Sequence, residues 1–229
     1  MKRIFLSNLL KIKNTSINKL IILFPLICAL ISLLFSSLGG ESVLSLTVET
    51  AVNQWGVIWI NVIIAVISGL LNKLEFSRII LVAFLSLVIS IILGLILIVI
   101  SLFLPTPSLI SLSRILLTVL LIWVTTLWQI PFTLWLSRKT NLYFSIIINT
   151  IAPLIIGTSF SLLDNWYIFP YDWSLKLLEP MTKMKINGIP FGTEYVPDYS
   201  MIYISLFLGV ILFIILSEIS AISFKKQVK

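Results

Sequence analysis

The chain predicts an all-α membrane fold of six spanning helices, and three observations carry that prediction. Hydrophobic residues make up 59% of the 229 positions, gathered into six long apolar runs. Each run approaches the roughly 20 residues that a helix needs to cross a bilayer. Charged residues are only 11% of the chain, against about 25% in a soluble domain, and the mean hydropathy is +1.13. Backbone polar groups in lipid must be satisfied within the segment, so helices are the expected form. A transmembrane barrel would show short strands with alternating apolar and polar residues; these runs are continuous and rich in Ile and Leu.

Span one, 20–38, follows a basic stretch with Lys2, Arg3, Lys11, Lys13 and Lys19. It is longer than the apolar core of about 7 to 15 residues in a secretory signal, and it reads as a retained span. It holds Pro25 and the single cysteine, Cys28, a packing residue with no second cysteine to pair with. Span two, 55–71, carries Asn61. Span three, 79–104, is long enough to tilt or to extend past the bilayer. Span four, 115–137, holds Gln129 and Pro131, and span five, 142–163, holds Asn149 and Pro153. Span six, 201–224, carries Glu218, the one acid placed inside a span. Each proline removes a backbone donor and can kink its helix, and packing irregularity is the simplest reading of each. The whole of 1–229 is one transmembrane domain.

Orientation follows the excess of Lys and Arg on the cytoplasmic side. With both termini cytoplasmic, 12 basic residues lie inside and 4 outside. The seven acids Glu41, Glu49, Asp164, Asp172, Glu179, Glu194 and Asp198 then lie outside, giving that face a net charge of −3. The net charge of +7 does not point to nucleic acid, because the basic residues sit at span ends rather than on one soluble face. The cytoplasmic loops are too short to hold a domain. The one large connection, 164–200, is external and rich in aromatics and proline.

The chain has no histidine, no phosphate-binding glycine loop, no nucleophile elbow and no paired-cysteine metal site, so an enzyme is not expected. Asn61, Gln129 and Asn149 are candidates either for hydrogen bonding between helices or for lining a substrate path. Glu218 reads as an acid near the cytoplasmic interface or as a coupling charge. Trp166, Tyr167, Pro170, Tyr171, Asp172 and Trp173 form a dense aromatic and acidic cluster. Interfacial anchoring accounts for some of these aromatics; a re-entrant or interfacial segment in contact with an amphiphilic substrate accounts for their density.

Two local motifs add a resemblance. Span four contains Leu127-Trp128-Gln129-Ile130-Pro131. The outer connection reads Trp166-Tyr167-Ile168-Phe169-Pro170-Tyr171-Asp172-Trp173, followed by Leu177, Pro180 and Asn187-Gly188. With six spans and cytoplasmic termini, the chain resembles the permease subunits of lantibiotic self-immunity ABC transporters of the epidermin/mutacin immunity type, with ABC-2 architecture. It departs from them at Tyr167, Phe169 and Lys176, where the family tends to have Trp, a small residue and Arg. The resemblance implies a multi-pass protein of the bacterial plasma membrane that pairs with a sister permease and a cytosolic ATPase. This chain would bind no cofactor of its own, ATP being used by the partner. The complex would expel a cationic lantibiotic peptide from the membrane. Lys11, Lys13, Lys19, Lys73, Glu75 and Arg78 would then receive the ATPase. Three alternatives stay open: an ABC-2 permease for a lipid, polysaccharide or other peptide; a non-transporting immunity protein that sequesters peptide; and a small secondary carrier with Glu218 as its proton or ion site.

Overall fold

The computed structural model describes residues 15–71, 76–104, 110–192 and 194–227. Lys11, Lys13, Lys73 and Glu75 lie outside the described residues. The described chain is all-helical. Its main helices are α1 (Ser16–Leu38), α2 (Thr47–Gln54), α3 (Ile60–Leu71), α4 (Phe76–Phe103), α5 (Leu112–Thr126), α6 (Gln129–Lys139), α7 (Leu142–Ile151), α8 (Asp172–Thr182) and α9 (Ser200–Gln227). Five continuous helical stretches are long and apolar enough to cross a membrane, and α5 with α6 makes a sixth, bent by 48°. This is a multi-pass membrane protein by length and composition. With that bent pair counted as one span, 161–199 lies at one end, here the loop face, and 139–142 at the other, the terminal face.

Span two is the centre of the bundle. α2 runs through a π-helical turn, Trp55–Trp59, into α3, and Trp55, Ile60, Ile63, Ile64 and Ile67 are fully buried. Around it pack α6 and α7, while α4 lies between α1 and α5. Lipid is as apolar as leucine, so such helices associate by close packing and polar contacts rather than by escape from water. Small residues make the approaches possible. A Cβ built on Gly209 of α9 would stand 3.1 Å from backbone atoms of Thr125, closer than packed carbon atoms ordinarily come. The outward faces of α1 and α9 are covered with exposed Ile, Leu and Phe, among them Leu34, Phe35, Phe207 and Ile214.

Three features correct the reading from sequence. First, span two begins at Thr47, not at residue 55. The segment Thr-Val-Glu-Thr-Ala-Val-Asn-Gln is too polar to register as apolar, yet its side chains face inward because the bundle supplies their partners. Glu49 is therefore not an outer-loop acid but a fully buried one whose Oε1 accepts the Ile110 N–H at 3.1 Å, and Glu218 is not the only acid within a span. Second, span four is broken at Leu127–Trp128. Pro131 has no N–H to return to the Leu127 carbonyl, which instead accepts the Ile130 N–H at 3.0 Å. Third, Pro153 falls in a second π-helical turn, Ala152–Gly157, which widens span five rather than sharply kinking it.

Candidate functional site

The connection 164–200 is not wholly a surface loop; its stretch 171–182 folds into the bundle. After Phe160 the chain makes a short 3₁₀ turn, Trp166–Ile168, and enters α8. α8 packs against α9, α5, α2 and the π-helical turn that follows α2. Its Asp172, Trp173, Leu175, Leu177 and Leu178 are buried. The Ser174 hydroxyl donates to the Gly56 carbonyl at 3.4 Å. α8 closes at Lys183, whose φ of 57° turns the chain into a hairpin over 183–191.

The break in span four receives the aromatic residues of this segment. Trp128 stands edge-on to Tyr171 at 4.9 Å and to Trp173 at 6.2 Å, with Phe132 beside it. Trp173 Nε1 donates to the Tyr167 carbonyl at 2.9 Å. The Tyr171 hydroxyl donates to Asn149 Oδ1 at 2.9 Å. Asn149 lies about 10 Å along α7 from the terminal face at 1.5 Å per residue, so Tyr171 reaches deep into the bundle. Each edge-on aromatic pair adds about 0.5–1.5 kcal/mol beyond its area burial.

A polar ladder continues between the spans. Asn61 Nδ2 donates to the Gly56 and Val57 carbonyls, which sit in the π-helical turn where the regular ladder is disturbed. Gln129 Nε2 donates to Asn61 Oδ1. One turn further, Thr133 donates to Ser68 at 3.0 Å. The candidates Asn61, Gln129 and Asn149 are thus all fully buried and bonded, which places them as contacts within and between helices.

Asp172 is the exception. It is fully buried, and neither carboxylate oxygen has a hydrogen-bond partner among the described residues. Its Oδ1 lies 3.0 Å from where a Cβ on Gly157 would be, so a side chain there would press on the carboxylate. Burial pushes its carboxyl up to about 8, against a smaller opposing pull from Lys176. An ionised, unpartnered carboxylate in an apolar site is so unfavourable that the group takes up a proton instead.

Of the six aromatic-cluster candidates, Trp166, Tyr171, Asp172 and Trp173 are buried, Pro170 is partly buried and Tyr167 is exposed. Glu218 is exposed on α9, Lys19 is exposed and Arg78 is partly buried. The acidic excess read from sequence is largely withdrawn from the loop face. Glu49 and Asp172 are buried and Glu179 pairs with Lys176 at 3.1 Å. Asp164, Glu194 and Asp198 remain exposed, beside exposed Lys183 and Lys185.

Beside α8 a cleft of about 310 Å³ opens between α2, the π-helical turns and the hairpin. Thr50, Asn53, Gln54 and Asn187 give it polar edges, and Val57, Ile58 and Leu154 give it an apolar floor. Sequence reading named Trp128 only as part of the Leu127–Pro131 motif, not as a site residue, and missed Asn53, Gln54 and Gly157. For Trp128 a signal existed in its place beside Gln129 and Pro131, two residues that disturb a span; for the others none stood out. Comparison of the chain with family models, curated proteins and solved structures finds no match.

Proposed function

We propose that the chain is the membrane-spanning permease subunit of an ABC transporter that expels a cationic lantibiotic peptide from the bacterial plasma membrane and so confers immunity. One observation supports this most. The two motifs that carry the resemblance, Leu127–Pro131 and Trp166–Trp173, are some 35 residues apart in the sequence yet meet in one aromatic cluster at the break of span four. In this reading both termini are cytoplasmic, the loop face is external, and a sister permease and a cytosolic ATPase complete the complex. ATP is bound and hydrolysed by that partner.

The mechanism uses the points where regular helix is interrupted. ATPase closure, received near Lys19 and Arg78 together with Lys11, Lys13, Lys73 and Glu75, tilts the spans as rigid bodies. The break at 127–128 and the two π-helical turns absorb the tilt. Through Trp128 that motion reaches Tyr171 and Trp173, so the buried segment couples span movement to the external face. Exposed Asp164, Glu194 and Asp198 aid capture only locally, since salt screens charge within about 8–10 Å.

The test is survival of a lantibiotic-sensitive bacterium that expresses the chain with a candidate sister permease and a candidate ATPase. Protection with the working ATPase and none with a hydrolysis-dead one is expected. Protection that persists with the dead ATPase points to sequestration and contradicts the proposal.

A further inference from the structure

The cleft beside α8 has a lining chemistry that none of the charged or aromatic candidates explains. Asn53, which lines the cleft, donates from Nδ2 to the Lys185 carbonyl at 3.0 Å, which ties α2 to the hairpin and keeps its Oδ1 as an acceptor. Gln54, which also lines the cleft, accepts from Ser32 on Oε1 at 3.3 Å and keeps its amide N–H groups as donors. Asn187 Oδ1 accepts the Ile189 N–H at 3.2 Å, leaving its own amide N–H groups available. The lining therefore offers both amide donors and an amide acceptor, with the Thr50 hydroxyl able to do either. That combination matches peptide groups, each of which carries one N–H and one C=O. The floor of Val57, Ile58 and Leu154 suits an apolar side chain. No charged residue is among the described residues that line the cleft, and the hairpin forming its wall carries exposed Lys183 and Lys185. A cationic side chain is therefore disfavoured there. A phospholipid headgroup brings an anionic phosphate, and no Lys or Arg is among the described residues that line the cleft to answer it. The volume of about 310 Å³ is at the lower end for ligand cavities, enough for one large side chain with its flanking backbone but not for a whole folded peptide.

We propose that this cleft binds an uncharged stretch of the exported peptide, one apolar side chain together with its flanking peptide groups. The proposal rests on the peptide-permease reading and names the part of the peptide that the loop face recognises. A cationic peptide is then sorted by its apolar segment, while its charged residues stay in the aqueous or headgroup region.

The test uses membranes from the cells of the survival assay and a cationic lanthionine peptide with a diazirine on one apolar side chain. Photolabelling is expected on the segments around Val57–Ile58 or Leu154, and Asn187→Trp is expected to lower it by about tenfold. Asn187 is exposed on the hairpin, so the larger ring fills the cleft without disturbing packing. Labelling elsewhere on the chain, or labelling indifferent to Asn187→Trp, in membranes whose cells show ATP-dependent protection, overturns the cleft and leaves the permease reading standing. A diazirine phospholipid that labels these segments and is not displaced by the peptide also overturns it in favour of lipid. Absence of both labelling and protection, with the complex assembled, removes the permease reading along with the cleft.

Discussion

At the scale of single residues, the buried polar groups decide what can be changed. Asp172 has a folded-state carboxyl pushed up to about 8 from an ordinary value of 3.8. The folded state therefore holds a proton that the unfolded state gives up above about pH 4. Stability is highest below that pH, falls as pH rises toward 8, and levels off above it. Asp172→Asn keeps the shape and removes the charge, so its unfolding temperature should exceed that of the wild type at pH 8 to 9 and the slope between pH 4 and 8 should flatten. Thermal unfolding in detergent across that range measures both. Asn61 and Gln129 make a different prediction. Asn61→Leu and Gln129→Leu should each destabilise, and a double-mutant cycle should show coupling of about 0.6–1.7 kcal/mol, the span measured for hydrogen bonds between membrane helices. The roles of these residues were only partly legible. Their polarity within apolar runs marked them, but which partner each meets depends on the rotation of neighbouring spans. Asp172 looked like a surface acid, since nothing local to it says that α8 is buried.

At the scale of elements, the places where hydropathy misleads are places where one helix depends on another. α2 reads as a loop because Glu49, Asn53 and Gln54 are polar, and it is helical and buried because Ile110, Lys185 and Ser32 answer them. Span four reads as continuous because its apolar content runs across Leu127–Trp128, although Pro131 already signals the break. Pro131→Ala restores the missing donor. If the proline sets the 48° bend, a straightened span lengthens the distance between spin labels at Leu117 and Lys139 by about 2 Å. An unchanged distance would assign the bend to the packing of Trp128 against Tyr171 and Trp173. Gly209 is a packing position with no slack. Gly209→Ala should cost about 1–3 kcal/mol, because the added methyl meets Thr125 backbone rather than a side chain that can turn away. Unfolding in a graded denaturing detergent reads that loss.

For the whole molecule, hydropathy alone showed the class, and its six runs fall on five spanning helices and one bent pair, because the solvent sets where apolar runs lie. It did not show that part of the largest connection is internal. Folding α8 into the bundle links the loop face to the break of span four, and it draws Asp172 and Glu179 out of the charge pattern of that face. It also changes how substitutions there should be read. Changing Trp166, Tyr171 and Trp173 together to Ala would remove packing from the centre of the bundle, so lost immunity in that variant would not separate peptide contact from misfolding. Exposed positions such as Tyr167 and Asn187 do separate them. Tyr167→Ala should leave insertion and thermal stability unchanged, since Tyr167 is about half exposed at 49%, and its effect on protection reports on contact alone. The central claim is that the chain takes part in ATP-driven removal of peptide from the membrane. The most direct measurement is the partition of a labelled lantibiotic between cells and medium, with the chain and its partners present and with the ATPase active or hydrolysis-dead. A fall in cell-bound peptide matched by a rise in the medium, seen only with the active ATPase, is the predicted result. Peptide that stays cell-bound while the cells survive would contradict it.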